Sequence, residues 1–213
     1  METKPYTKPD EIEKQSFAII TDLLAGRSFP AGEDEIVKRV IHTTADFEYA
    51  ENLIFSPGAV NRAKEALAAG ATVVTDTGMA LAGISKPTLE RLGGQAVCFM
   101  ADPEVAAEAK ARGVTRAVVS MERAAGLPGE LIFAIGNAPT ALLRLRELIR
   151  EGALSPALVI GVPVGFVNVV EAKELFLREE TPYIIARGRK GGSNVAAAIV
   201  NALLYQLVKR EGF

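Results

Sequence analysis

Residues 130–140 read ELIFAIGNAPT, and the fold turns on them. After Glu130 the run LIFAI is apolar without alternation, then gives way at Gly136 and Asn137 to a helical pattern over about 138–151. A strand with no polar alternation faces water on neither side, the mark of a sheet covered on both faces. Outward from it, runs of the same kind stand at ATVVT (71–75), QAVCFM (95–100), PALVIG (156–161) and PYIIA (182–186). Helical patterns separate them near 102–112, 115–125 and 168–180, with a short one in KPTLERLG and a last one from about Ser193 to Lys209. Short buried strands alternating with helices build a doubly wound α/β sheet. The expectation is a single domain over 1–213, a three-layer αβα fold. Its sheet, over about 71–213, is five-stranded, parallel and flavodoxin-like in order, behind a helical extension over about 1–70.

The composition excludes several classes. The chain has 213 residues and a formal net charge of −2. No global basic field recruits nucleic acid or an anionic membrane, so any anion site is local. One cysteine, Cys98, and one histidine, His42, can assemble neither an internal disulfide nor a Cys/His metal cage. The start, METKPYTKPDEIE, has no apolar leader core. The most apolar run, LSPALVIGVPVGFVNVV (154–170), is interrupted by Pro156, Gly161, Pro163 and Gly165. It reads as strand, loop and helix start, and the protein is expected in the cytoplasm.

Two amphipathic helices precede the sheet. In DEIEKQSFAIITDLLA (10–25), Ile12, Ile19, Ile20 and Leu23 share a stripe, with Ser16 in its middle. Ser16 either back-bonds to the carbonyl one turn earlier or is a polar contact in a pocket. In the helix near 33–45, Ile36, Val37, Val40, Ile41 and Thr44 form the apolar face. His42 lies nearly opposite, three residues after Arg39, so the two are neighbours. It is an idle surface residue or it faces a ligand cleft or a second subunit. Its unperturbed pKa near neutrality suits it to proton transfer.

Ligands of open parallel sheets sit beyond the carboxyl ends of the strands. There the sequence places TDTGM with Thr77 and Met79, GNAPT with Asn137, GVPVGF, and RGRKGGSN. The last combines Arg187, Arg189 and Lys190 with Gly191 and Gly192, whose bare backbone suits an anion, ahead of Ser193 and Asn194. It is not a Walker A loop, and no G-x-G-x-x-G occurs. The final helix, SNVAAAIVNALLYQLVKR, is apolar around most of its circumference, so it is either sandwiched in the core or part of a subunit interface.

Ser16, RVIHTTAD, TDTGMALAGI, GNAPTAL, GVPVGFVN and RGRKGGSNVAAAIVNAL, in this order and spacing, resemble the precorrin-8X methylmutases, including the cobalt-precorrin-8 methylmutases. The resemblance implies an isomerase of corrin-ring (vitamin B12) biosynthesis that moves a methyl group from ring carbon 11 to ring carbon 12 of precorrin-8 or its cobalt form. It further implies no separate cofactor, a homodimer, and a substrate held near the subunit interface. His42 would be the proton donor and acceptor, and Ser16, Arg39 and Arg116 substrate contacts. The competing readings are a corrinoid carrier without chemistry and a flavin- or nucleotide-binding protein of the same architecture.

Overall fold

The structure, a computed structural model, describes residues 9–208. Residues 1–8, in which a leader was sought, and Lys209, the expected end of the last helix, lie outside them. Helices α1 (Pro9–Leu23), α2 (Glu33–Thr44) and α3 (Tyr49–Asn52) lead into strand β1 (Leu53–Phe55). Then follow α4 (Ala59–Ala68), β2 (Thr72–Thr75), α5 (Gly78–Gly83), α6 (Lys86–Arg91), β3 (Gln95–Val97), α7 (Pro103–Arg112), α8 (Arg116–Ala125) and β4 (Leu131–Ile135). The chain continues through α9 (Pro139–Arg150), β5 (Leu158–Gly161), α10 (Val169–Phe176), β6 (Tyr183–Ala186) and α11 (Ser193–Leu207).

The strands form one mixed sheet in the order β1-β6-β5-β4-β2-β3. β2 to β6 run parallel, and β1 pairs antiparallel with β6, Leu53 opposite Ala186 and Phe55 opposite Ile184. This corrects the expected five-stranded parallel sheet and the purely helical stretch before residue 71. Three residues, LIF, are too short to show a strand period, and their pairing is completed by side-chain chemistry. Ser56 N–H donates to the Tyr183 carbonyl (3.0 Å), and Tyr183 N–H donates to Ser56 Oγ (2.8 Å). The elements α3, α4 and α5 also went unread in the sequence, whereas β3 and α10 are shorter than their apolar patterns.

Side chains alternate across each strand, so β4 feeds two cores. Ile132 and Ala134 join α2, α4 and α11 on one face; Leu131, Phe133 and Ile135 join α8, α9 and α10 on the other. Helix α11 is sandwiched in the core: Val195 to Val200 and Ala202 to Leu204 are buried, and α2 packs against it. Helix α2 turns Ile36, Val37, Val40 and Ile41 inward, leaving His42 exposed as its pattern requires. Helix α1 is different. Ile20 and Leu24 are buried, but Ile12, Ile19 and Leu23 are exposed, roughly a quarter turn away at 100° per residue.

Candidate active site

The carboxyl ends of β2, β4, β5 and β6 converge with the end of α2. Asp76, fully buried after β2, accepts the N–H groups of Gly136 (2.8 Å), Asn137 (2.8 Å) and Ala138 (2.6 Å). Burial pushes its carboxyl above the ordinary value, and the three N–H donors pull it back. Thr77 caps α5 by accepting Ala80 N–H (3.0 Å), and its hydroxyl meets Ser193 Oγ (2.7 Å) at the start of α11. Asn137 is exposed at the rim.

The 187–192 loop wraps over the end of β5. A Cβ on Gly191 would stand 2.0 Å from the Val162 carbonyl oxygen, so only glycine lets the two backbones approach so closely. Gly192 is buried and its N–H donates to that same oxygen (2.9 Å). The expectation of bare backbone is therefore corrected for Gly192: its donor is already used in packing. Lys190 is exposed, but its ammonium pairs with Asp46 (2.6 Å) and Glu48 (3.0 Å), joining the loop to the stretch after α2. The hydrogen bond from Lys190 holds the Asp46 carboxyl below its usual range. Beneath the loop, the fully buried Lys173 of α10 donates to the carbonyls of Gly188 (2.8 Å) and Lys190 (2.9 Å).

Around these loops stands an apolar lip. Phe166 is 85% exposed, Val167 77% and Met79 72%. The Arg189 guanidinium lies 6.0 Å from the Phe166 ring centroid. Exposed aromatic and aliphatic groups beside backbone donors suit a flat apolar ligand with a polar fringe. Among the described residues no cluster of three His, Cys, Asp or Glu side chains could hold a metal ion.

His42 lies in the last turn of α2, one turn before Asp46, with its ring 5.3 Å from that of Phe17 on α1. Arg39 shares that ring: its guanidinium lies 4.8 Å from the Phe17 centroid and 5.1 Å from that of Tyr205. It pairs with Glu13. Ser16 donates to the Ile12 carbonyl (2.8 Å), the local bond open to any mid-helix serine. Arg116 is exposed at the start of α8 and donates to the Met100 carbonyl (3.3 Å) beyond β3. The structure thus brings Arg39 and His42 together at the ring of Phe17, the residue after Ser16 on α1. Thr77, Met79, Asn137, Lys190 and Gly191 stand at the sheet edge, and Arg116 at its far side.

The precorrin-8X methylmutase family model matches residues 11–206, nearly all the described chain. The chain belongs to the precorrin-8X methylmutase family. It is 44% identical to a cobalt-precorrin-8 methylmutase of Priestia megaterium, covering 95% of this chain and 90% of the relative. It is 40% identical to a precorrin-8X methylmutase of Pseudomonas aeruginosa, covering 90% and 93%. The solved precorrin-8X methyl mutase from Thermus thermophilus superimposes with a TM-score of 0.83 at 42% identity, covering 91% of this chain and 95% of that one.

Lys173, which helps build this methylmutase-family site, escaped the sequence reading as a contributor, whereas Asp76, Phe166 and Ser193 lay in the TDTGM, GVPVGF and RGRKGGSN loops that it had singled out. Lys173 left a signal. It occupies the inward stripe of α10 with Val169, Ala172 and Phe176, where a charged residue demands a partner.

Proposed function

We propose that this single-domain chain acts in the cytoplasm on precorrin-8 or its cobalt form, moving the methyl group from ring carbon 11 to ring carbon 12, with His42 as the acid–base group. Family membership supports the isomerase activity in corrin biosynthesis. The observation that carries the catalytic assignment is the place of His42, an exposed imidazole one turn from the Asp46–Lys190 pair at the rim of the loops. The shift is internal to one molecule, so it needs neither a nucleophile nor an electron acceptor. Protonating a ring nitrogen makes the neighbouring carbon a better terminus for the migrating methyl group. Substrate and product are isomers, so the proton returns to His42 when the shift is complete. Such general acid catalysis contributes about 10²–10⁴-fold.

The flat ring rests against the lip of Met79, Phe166 and Val167, with Thr77, Asn137 and the 187–191 loop at its fringe. Arg39, Ser16 and Arg116 serve further peripheral groups, Ser16 by exchanging its local bond. The order of the five parallel strands supports reading the sheet as flavodoxin-like with an added edge strand. A homodimer is supported by the exposed Ile12, Ile19 and Leu23 on α1 and by an adjoining cavity of about 520 Å³ lined by Leu23, Leu24, Phe47 and Ala50 with Arg27 and Glu51. Light scattering that gives a monomer mass at micromolar and higher concentrations overturns the dimer.

The decisive assay incubates purified protein with metal-free and cobalt-containing substrate side by side. The expected result is a new absorption spectrum at unchanged mass, lost in His42→Ala while pigment still co-migrates with the protein. Pigment that binds to wild type and is never converted establishes the carrier instead.

A further inference from the structure

Lys173 is the buried charge that the proposed chemistry leaves unused. Its side chain is fully buried, and among the described residues no carboxylate lies within ion-pair distance of it. Its bonds go to two backbone carbonyls of one loop, Gly188 and Lys190. The carbonyl between them, on Arg189, accepts Gly165 N–H (3.2 Å). The loop is anchored at both ends, by Arg187 N–H to the Asn52 carbonyl (2.7 Å) and Gly192 N–H to the Val162 carbonyl (2.9 Å).

A trans peptide is planar, and its C=O and N–H point in opposite directions. Among the described residues there is no cis peptide bond. Drawing the Gly188 and Lys190 carbonyls down onto the ammonium therefore turns the N–H groups of Arg189 and Gly191 the other way. Neither N–H has a hydrogen-bond acceptor among the described residues. A buried carboxylate under the same loop would have done the reverse, collecting N–H groups and facing carbonyls outward. The sign of the buried charge decides which half of each peptide the loop presents.

We propose that Lys173 is a positioning residue: by holding the carbonyls of Gly188 and Lys190 it presents the N–H groups of Arg189 and Gly191 to a carboxylate on the fringe of the corrinoid substrate. This rests on the reading of the 187–191 loop as part of the substrate site and deepens it. Successive backbone N–H groups left free on the outer side of a turn can bind an anion, and their bonds to an ionised carboxylate are of the stronger, charge-assisted kind. Lys173 touches no substrate; it acts through the loop.

The test is a titration of the full-length protein with hydrogenobyrinic acid, followed by absorption, together with steady-state kinetics. Lys173→Met keeps the length of the side chain and removes its donors. The expected result is a dissociation constant and a KM raised about tenfold, the equivalent of one charge-assisted hydrogen bond, with kcat changed much less. A folded Lys173→Met protein with unchanged dissociation constant and KM overturns the proposal, even if its melting temperature falls, because Lys173 is then merely structural. The double variant Arg189→Ala/Lys190→Ala separates the two layers. If it weakens binding and Lys173→Met does not, the loop reading stands and the positioning role fails; if neither weakens it, both fail. Should Lys173→Met not fold, amide NMR on the wild-type protein decides. Downfield shifts of the Arg189 and Gly191 N–H signals on adding hydrogenobyrinic acid support the proposal, and unmoved signals overturn it.

Discussion

Two loops at the same edge of the sheet are each organised by one fully buried charge, and the charges have opposite sign. Asp76 gathers three N–H groups of the turn between β4 and α9; Lys173 gathers two carbonyls of the turn between β6 and α11. The first turn closes on the protein itself. Two of its three outward carbonyls, those of Ile135 and Gly136, are taken by the N–H groups of Val162 (2.8 Å) and Val164 (3.4 Å). The second turn is left with donors to spare. One device therefore builds a brace in one place and a recognition surface in the other. What distinguishes them is whether the far side of each peptide already has a partner. Residues of the brace should register in stability, and residues of the exposed rim in activity.

The severest challenge to that division is Asp76→Ala, which strips three buried or half-buried N–H groups of their acceptor. Stability should fall by about 3 kcal/mol or more, since each unpaired buried donor costs roughly 1–3 kcal/mol. Denaturant unfolding measures it, and a loss below about 1 kcal/mol would mean that the turn holds without its carboxylate. His42→Ala is the opposite extreme. Turnover should drop at least about a hundredfold, while stability stays within about 0.5 kcal/mol, as for other exposed positions. A variant that turns over at near wild-type rate would return His42 to the idle surface.

Lys173 gives the comparison a pH signature. Burial lowers its ammonium from 10.5 to about 8, so between those values the unfolded chain binds more protons than the folded one. The stability contributed by this group therefore rises with pH through that window. Below it the folded protein carries the full cost of a buried cation; above it the neutral amine still has two N–H donors for two carbonyls. The melting temperature of wild type relative to Lys173→Met should climb between about pH 7.5 and about pH 10. A flat or falling difference would show that the amine is not a buried cation at neutral pH. Ser16→Ala should do least: the lost bond is local and half-exposed, so rate and stability should each change less than about threefold or 0.5 kcal/mol, checked by the same assay and melt.

Much of this was legible in the sequence. The inner strands β2, β4 and β5 are buried on both faces and announced themselves as unbroken apolar runs; β6 could be read in the same way and β3 as a longer run than it is, but β1 depends on a partner far along the chain. The polar face of α2 could be read because its inward side is so regular that His42 had nowhere to go but out. The braces could not be read in the same way. Asp76 was visible only as one more polar residue in a glycine-containing loop, because its partners are backbone groups sixty or so positions away. Lys173 was hidden in a helix whose apolar stripe it interrupts. Family resemblance supplied Ser16, Arg39 and Arg116 as substrate contacts, a role that no periodicity assigns. It offered nothing about the residues that hold the loops in place.

The contacts that close the site join distant parts of the chain. Asp46 and Lys190 are 144 positions apart, and Thr77 and Ser193 are 116 apart. On the ribosome, then, the helix carrying His42 emerges early and waits. The surface on which it packs is α11, the last of the described elements. Contacts of such separation form slowly because a long loop must close before they return anything. The histidine helix and the Asp46–Lys190 clasp can therefore settle only once the chain as far as α11 has been made. A chain that stops before Ser193 is not a slower enzyme but one whose histidine helix has lost the surface on which it packs.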